Sequence, residues 1–235
     1  MELEGIYVPN ITPFTRKGEI NFYALEAFIE FLLEADISGL VVNASTGEAP
    51  LLSQEERVDL ISFVREKVAG RGAVIAGTGV VGTRETITLT NDALEAGADA
   101  ALVATPYFFR PKEEEIYKHF TSLLTSVEIP IILYNVPKFT GYSVSPKVVD
   151  QIADDCSNLI GIKDSSSNPG NMAENLRLFG NKISVLSGAA DMTLPTLAMG
   201  GKGAILAVAN AIPKTCVQLY KASVEGLLKK AGRLQ

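Results

Sequence analysis

Residues 130–165 read PIILYNVPKFTGYSVSPKVVDQIADDCSNLIGIKDS. Two apolar runs, PIILYNVP (130–137) and LIGIKDS (159–165), flank a segment with a helix-start signal, Ser145 followed by Pro146. Serine caps a helix and proline suits its first position. Both runs are apolar on successive residues rather than on alternate ones. That is how a strand buried on both faces of a parallel sheet reads. The stretch is one strand–helix–strand unit.

The same unit recurs in both directions. Upstream come GIYVPNIT (5–12), GLVVNAS (39–45), AVIAGTG (73–79) and AALVATPY (100–107); downstream come ISVLSG (183–188) and GAILAVAN (203–210). Helical segments lie between them. Phe22 to Glu34 is apolar at Phe22, Leu25, Phe28, Ile29 and Leu32, a helical stripe. Residues 54–68 repeat it with Val58, Leu60, Ile61 and Val64, and Ser53 with Glu56 forms a capping-box signature. Thr83 with Thr86 is a weaker start signal, and a last helix falls near 214–230. Gly97, Gly180 and Gly201 stand near helix ends, where glycine suits a left-handed cap.

Eight strands with intervening helices predict one closed (β/α)₈ TIM barrel over residues 1–226. Residues 227–235 read as the start of a C-terminal helical region that is largely missing. An open, doubly wound sheet is the alternative. Its dinucleotide fingerprint belongs after the first strand, where NITPFTRKGE has no GxGxxG. AGTGVVG (76–82) reads as a strand-to-helix turn. GGKG (200–203) precedes a strand without Walker spacing and also reads as a turn.

Composition narrows the function. The 235 residues are 47% hydrophobic, with a net charge of −6 and a pI near 5.0. Nothing here offers a nucleic acid the basic surface it needs. Cys156 and Cys216 are far apart, without a CxxC, and read as reduced thiols in a cytoplasmic protein. MELEGIYVPN has no secretory pattern, and no apolar run approaches the roughly 20 residues that span a bilayer.

Chemistry in such barrels sits at the carboxyl ends of the strands. Lys163 ends the sixth. A lysine there points into the barrel mouth or toward the helices. Desolvated, it becomes a neutral amine able to attack a ketone and form a Schiff base. Paired with Asp164 at the strand edge, it is only structural. Tyr134, on the preceding strand, is either a proton relay or a packed aromatic. Ser45 and Thr46 sit at a strand-to-helix turn that can hold a small carboxylate or simply cap a helix. His119, the only histidine, falls on a helix away from the mouth. No Ser-His-Asp triad or multi-histidine metal site is available, and Glu113–Glu115 reads as a helix first turn.

YNVPxxTG at 134–141, GIKDSS at 161–166, ASTGE at 44–48 and SGAAD…GGKG at 187–203 stand on the expected strands. Together they resemble the dihydrodipicolinate synthase/N-acetylneuraminate lyase family, from about residue 3 to the chain end. The resemblance implies a class I, metal-free and cofactor-free lyase or aldolase acting on pyruvate or another 2-keto acid and an aldehyde. It implies that Lys163 is the Schiff-base lysine and Tyr134 the proton shuttle. Ser45 and Thr46 match the hydroxyl residues that bind the keto-acid carboxylate, one of which joins the relay. Gly188 and Ile205 match positions lining the keto-acid pocket. The family implies a homo-oligomer, a tetramer.

Three departures from the family stand out. Where the synthases carry an arginine for the aldehyde's carboxylate, this chain has Phe139, preceded by Lys138. Where they carry a tyrosine that reaches the neighbouring subunit, it has Phe108. Both changes make the second-substrate site less polar. The third is length, since further C-terminal helices are usual in the family. Three readings follow: a pyruvate-dependent aldolase for a sugar-acid or hydroxy-keto-acid, the lysine-pathway synthase itself, or a keto-acid-binding protein on a degenerate scaffold.

Overall fold

The computed structural model describes residues 3–235. Eight parallel strands close into a barrel in chain order. They are β1 (Gly5–Val8), β2 (Gly39–Val42), β3 (Ala73–Gly77), β4 (Ala100–Ala104), β5 (Ile131–Asn135), β6 (Leu159–Asp164), β7 (Ser184–Ser187) and β8 (Gly203–Ile205). The open-sheet alternative is excluded because β1 pairs with β8.

The doubly apolar strands have a simple cause. Successive side chains on a strand face opposite sides. Inside the barrel lie Tyr7, Val41, Ile75, Leu102, Ile132, Tyr134, Leu186 and Ile205. Their neighbours in sequence, among them Ile6, Leu40, Val74, Val103, Leu133, Ile162, Val185 and Ala204, pack outward against the helices. Each face therefore removes its own apolar surface from water, worth roughly 1.5–3 kcal/mol per fully buried aliphatic side chain.

The helical layer comprises α1 (Phe22–Leu33), α2 (Gln54–Val68), α3 (Thr83–Glu95), α4 (Glu113–Leu124), the one-turn α5 (Pro137–Thr140), α6 (Pro146–Asp155), α7 (Pro169–Phe179), α8 (Thr193–Ala198), α9 (Pro213–Val224) and α10 (Leu228–Leu234). Leu25, Ile29 and Leu32 form the buried stripe of α1. The Ser53–Glu56 capping box opens α2. Ser145 precedes Pro146 at the start of α6, but its hydroxyl makes no cap bond.

Several local expectations need correction. The helix expected near 214–230 is two helices, because Gly226 takes φ +73 and breaks the run. Ala231 of α10 then packs on Leu219 and Ala222 of α9. Gly97 is left-handed at φ +92, as expected, but Gly180 is right-handed at φ −63. After α8 the left-handed residue is Gly200, at φ +102, rather than Gly201. Thr83 does not cap α3; Gly82 precedes that helix, and the Thr83 hydroxyl bonds His119 Nδ1 at 2.9 Å. The apolar run 203–210 leaves the strand after Ile205 and continues as a 3₁₀ turn, Ala207–Asn210. GGKG leads into β8 at the amino ends of the strands, where Lys202 pairs with Glu4 at 2.9 Å.

Candidate active site

The carboxyl ends of β2 to β5 surround a cavity of about 320 Å³, whose wall includes Ser45, Leu102, Tyr107, Tyr134, Val136 and Phe139. Among the described residues, its lining carries no charged side chain. Two glycines of the AGTGVVG turn belong to the wall because nothing larger fits. A Cβ on Gly77 would collide with the Asn43 carbonyl, and one on Gly79 with the Ala104 backbone. Asn43, at φ +57, turns the chain out of β2, and its side-chain amide donates to Arg57 O at 3.0 Å.

Lys163 lies beside this cavity, on the inner face of β6 and paired in register with Tyr134 of β5. It is 3% exposed. Its Nζ stands 4.2 Å from the centre of the Tyr134 ring. Burial without a compensating charge pushes the ammonium pKa down to about 7. Near neutral pH, about half of the lysine is therefore a free amine. Among the described residues it has no ion pair.

Asp164 faces the other way. Its carboxylate accepts from the side-chain amides of Asn135 (3.1 Å), Asn171 (2.6 Å) and Asn175 (2.9 Å), and from Ser166 N (2.7 Å). Strand alternation thus rules out the Lys163–Asp164 pair. Asn135 in turn accepts from Val144 N at 3.1 Å. The cluster ties the end of β6 to β5, to the loop before α6 and to the start of α7.

Burial raises the Tyr134 phenol above its usual range, while the neighbouring Ser45 and Ser165 hydroxyls pull it back down. The phenol is protonated at neutral pH and flanked by two hydroxyls. Gly188 meets the same group, since a Cβ there would collide with Ser165 Oγ and come within 3.0 Å of Lys163 Cε and Cγ. Glycine at this position makes room for the lysine side chain.

The other expected site residues are more scattered. Thr46 lies in the 3₁₀ turn Ser45–Gly47. Ile205 is fully buried inside the barrel. Phe139 is in the cavity wall, with Lys138 Nζ 5.6 Å from its ring centre. Phe108 is outside the wall, 84% exposed, and stacks edge-on against Phe109. Its φ of +78 is a strained conformation for a bulky residue. His119 is buried on α4 and packs edge-on to Phe120. Among the described residues, no group of three or more His, Cys, Asp or Glu side chains is placed to hold a metal, and no helix is long and apolar enough to cross a membrane.

Ser165 and Tyr107 stand at strand ends, and Gly77 and Gly79 at the end of β3 and in the turn after it, but the strand-end pattern assigned none of them a part in the site. Ser165 had a usable signal, since it stands two residues after Lys163 and so shares its face.

The sequence profile of the dihydrodipicolinate synthetase family matches residues 2–235. The chain belongs to this family. Its dihydrodipicolinate synthetase relatives include the 4-hydroxy-tetrahydrodipicolinate synthase of Methanocaldococcus jannaschii, 42% identical over 97% of this chain and 78% of the relative. The crystal structure of dihydrodipicolinate synthase from Aquifex aeolicus superposes with a TM-score of 0.96 at 38% identity, covering 99% of this chain and 79% of that one. A prophage protein of the family from E. coli K12, solved in complex with pyruvate, gives a TM-score of 0.95 at 36% identity, covering 98% and 78%. As a dihydrodipicolinate synthetase family member, the chain is a lyase of the Schiff-base, aldolase type.

Proposed function

We propose that this chain joins pyruvate, or a close 2-keto acid, to an aldehyde and runs the reverse cleavage, through an imine on Lys163. The observation that carries this reading is a lysine amine buried beside the cavity, its pKa brought down to about 7 and its Nζ 4.2 Å from the Tyr134 ring. The neutral amine adds to the keto carbon, and a proton passes from nitrogen to oxygen to give a carbinolamine. One further proton lets that oxygen leave as water, and the protonated imine remains. Loss of a proton from C3 then gives an enamine, whose carbon attacks the aldehyde while the aldehyde oxygen takes up a proton. Water finally hydrolyses the imine. Tyr134 shuttles these protons, with Ser45 as its partner. Ser45 and Thr46 receive the keto-acid carboxylate, and Gly188 and Ile205 border its methyl end.

Phe139 faces the aldehyde end from the cavity wall, whereas Phe108 and Lys138, expected beside it, stand outside the lining. The uncharged cavity lining favours an aldehyde without a carboxylate next to the reacting carbon. A second reading, the synthase reaction with aspartate semialdehyde, is favoured by the names of the relatives at 42% and 39% identity. Borohydride reduction in the presence of pyruvate, followed by peptide mass spectrometry, tests the core of the proposal. A reduced adduct on Lys163, lost in Lys163→Ala, is expected; a folded protein with no adduct would sink it. Turnover with aspartate semialdehyde that matches or exceeds turnover with uncharged hydroxyaldehydes would select the synthase reading instead.

The chain also self-associates in this proposal. Leu51, Phe108, Phe109 and Phe139 are 59–84% exposed on the segments after β2, β4 and β5, all at one end of the barrel. An apolar group of this size at the mouth fits a surface covered by a second copy. Light scattering checks it: Phe108→Asp with Phe109→Asp is expected to give monomers. The free, buried Cys156 and Cys216 fit a reducing cytoplasm.

A further inference from the structure

Ser165 is a buried polar group beside Tyr134 and Lys163 with no role in the scheme above. It follows Lys163 by two residues, so Lys163 points into the barrel, Asp164 outward, and Ser165 inward again, one layer nearer the mouth. Its backbone is held on both sides. Ser165 N donates to Asn135 O at 2.9 Å, directly after Tyr134, and Gly188 N donates to Asp164 O at 2.7 Å. Its side chain and that of Lys163 lie against the same glycine, Gly188. Yet Ser165 Oγ is buried and has no hydrogen-bond partner. Buried hydroxyls in folded proteins are nearly always satisfied, and one that is not calls for an explanation.

We propose that Ser165 is a positioning residue for Tyr134, closing a chain of hydroxyls, Ser45–Tyr134–Ser165, once a keto acid occupies the chamber. The proposal rests on the Lys163 imine chemistry above. A phenol that must both give and take a proton needs an acceptor for its own hydrogen and a donor to its oxygen. Ser45 stands on one side and Ser165 on the other. The two serines also act alike on the phenol's acidity, both drawing it down against burial. The Ser165 hydroxyl thus acts on the phenol's acidity without completing a full hydrogen bond, and its oxygen keeps hydrogen-bonding capacity that no other side chain uses.

A double-mutant cycle tests this, with exchange of the pyruvate C3 protons for deuterium as the readout, because exchange needs the imine and the proton shuttle but no second substrate. Ser165→Ala is expected to trap pyruvate on Lys163 with borohydride to the same extent as the parent. Its C3 exchange should slow by on the order of tenfold or more. The alkaline limb of its exchange–pH profile should move upward, as Tyr134 loses one of its two acidifying neighbours. In a Tyr134→Phe background, Ser165→Ala should have little further effect. Because its hydroxyl completes no hydrogen bond, Ser165→Ala should keep the parent's thermal midpoint. Equal slowing by Ser165→Ala in both backgrounds would overturn the proposal, since the serine would then act without Tyr134. Unchanged exchange and an unchanged pH profile would overturn it too. If the parent protein itself traps no pyruvate, the Lys163 reading fails and this inference falls with it.

Discussion

At the residue scale, the site is organised by what Lys163 gives up. An exposed lysine keeps its proton well above neutral pH, whereas this one loses half its charge near pH 7. That difference is a stability cost as well as a catalytic device. Its folded pKa lies below its unfolded value of 10.5. The unfolded chain therefore holds the proton more tightly at every pH between the two, and the penalty shrinks only as pH rises toward 10.5. Lys163→Met keeps the side-chain bulk and removes the ionisable group. It is expected to abolish borohydride trapping and to stabilise the protein near pH 7 by up to about 4 kcal/mol. The gain should fade toward pH 10, which urea titrations at several pH values would check. Gly188 is the counterpart. Gly188→Ala forces Ser165 and Lys163 aside, so it should cost about 1–3 kcal/mol and slow imine formation. An alanine variant with parent-like trapping kinetics would show that the chamber has slack there. From the sequence, a desolvated Lys163 was one of two open readings, and Gly188 was expected only as a position lining the keto-acid pocket; its steric role beside the lysine was not legible. Its contact with Lys163 exists only because β6 and β7 pair with Asp164 opposite Ser187.

At the element scale, the strands were legible because both faces of each are apolar, and Ser53 with Glu56 marked the start of α2. Strand ends were less legible. The run 203–210 stays apolar past Ile205 because the 3₁₀ turn buries Ala209 in the same outer core that holds Ala204. Hydrophobicity cannot separate two buried conformations. The end of β6 was half legible: Lys163 was visible as a candidate, whereas the role of Asp164 was not. Its carboxylate gathers four donors from residues spread over 135–175. Asp164→Ala leaves those donors facing a void, so a loss of about 3 kcal/mol or more is expected. Ser53→Ala removes one exposed cap and should cost only about 1 kcal/mol. Chemical denaturation of the two variants should rank them in that order. The reverse ranking would mean that water replaces the Asp164 cluster at little cost.

At the scale of the whole molecule, the fold was predictable from strand count, but the surroundings of its ionisable groups were not, because they arise only when the barrel closes and the helices pack around it. Several such groups set how the protein responds to pH. Burial holds the His119 pKa down to about 4, against 6.5 when unfolded. The unfolded chain alone takes up that proton as pH falls from 6.5 toward 4, so stability drops across that window. Lys163, at about 7 folded and 10.5 unfolded, makes stability rise from pH 7 toward 10.5. Burial raises the Tyr7 pKa to about 12 from 10 and also pushes up the Tyr134 and Tyr142 phenols and the Cys156 and Cys216 thiols, so stability falls again as pH climbs past the thiols' unfolded value of 9.0. The surface ion pairs, such as Arg71–Glu30 and Lys182–Asp154, are largely solvated and contribute little to this balance. Stability should therefore peak on the alkaline side of neutrality, below the range where the buried thiols and phenols titrate, and should fall on the acid side as pH drops from 6.5 toward 4. Urea midpoints measured from pH 4 to 11 would trace the curve. His119→Leu should flatten its acid limb, and Lys163→Met should remove the rise above pH 7. A maximum near neutral pH in the parent, unmoved by Lys163→Met, would mean that water reaches the lysine in solution and that its amine is not held neutral by burial.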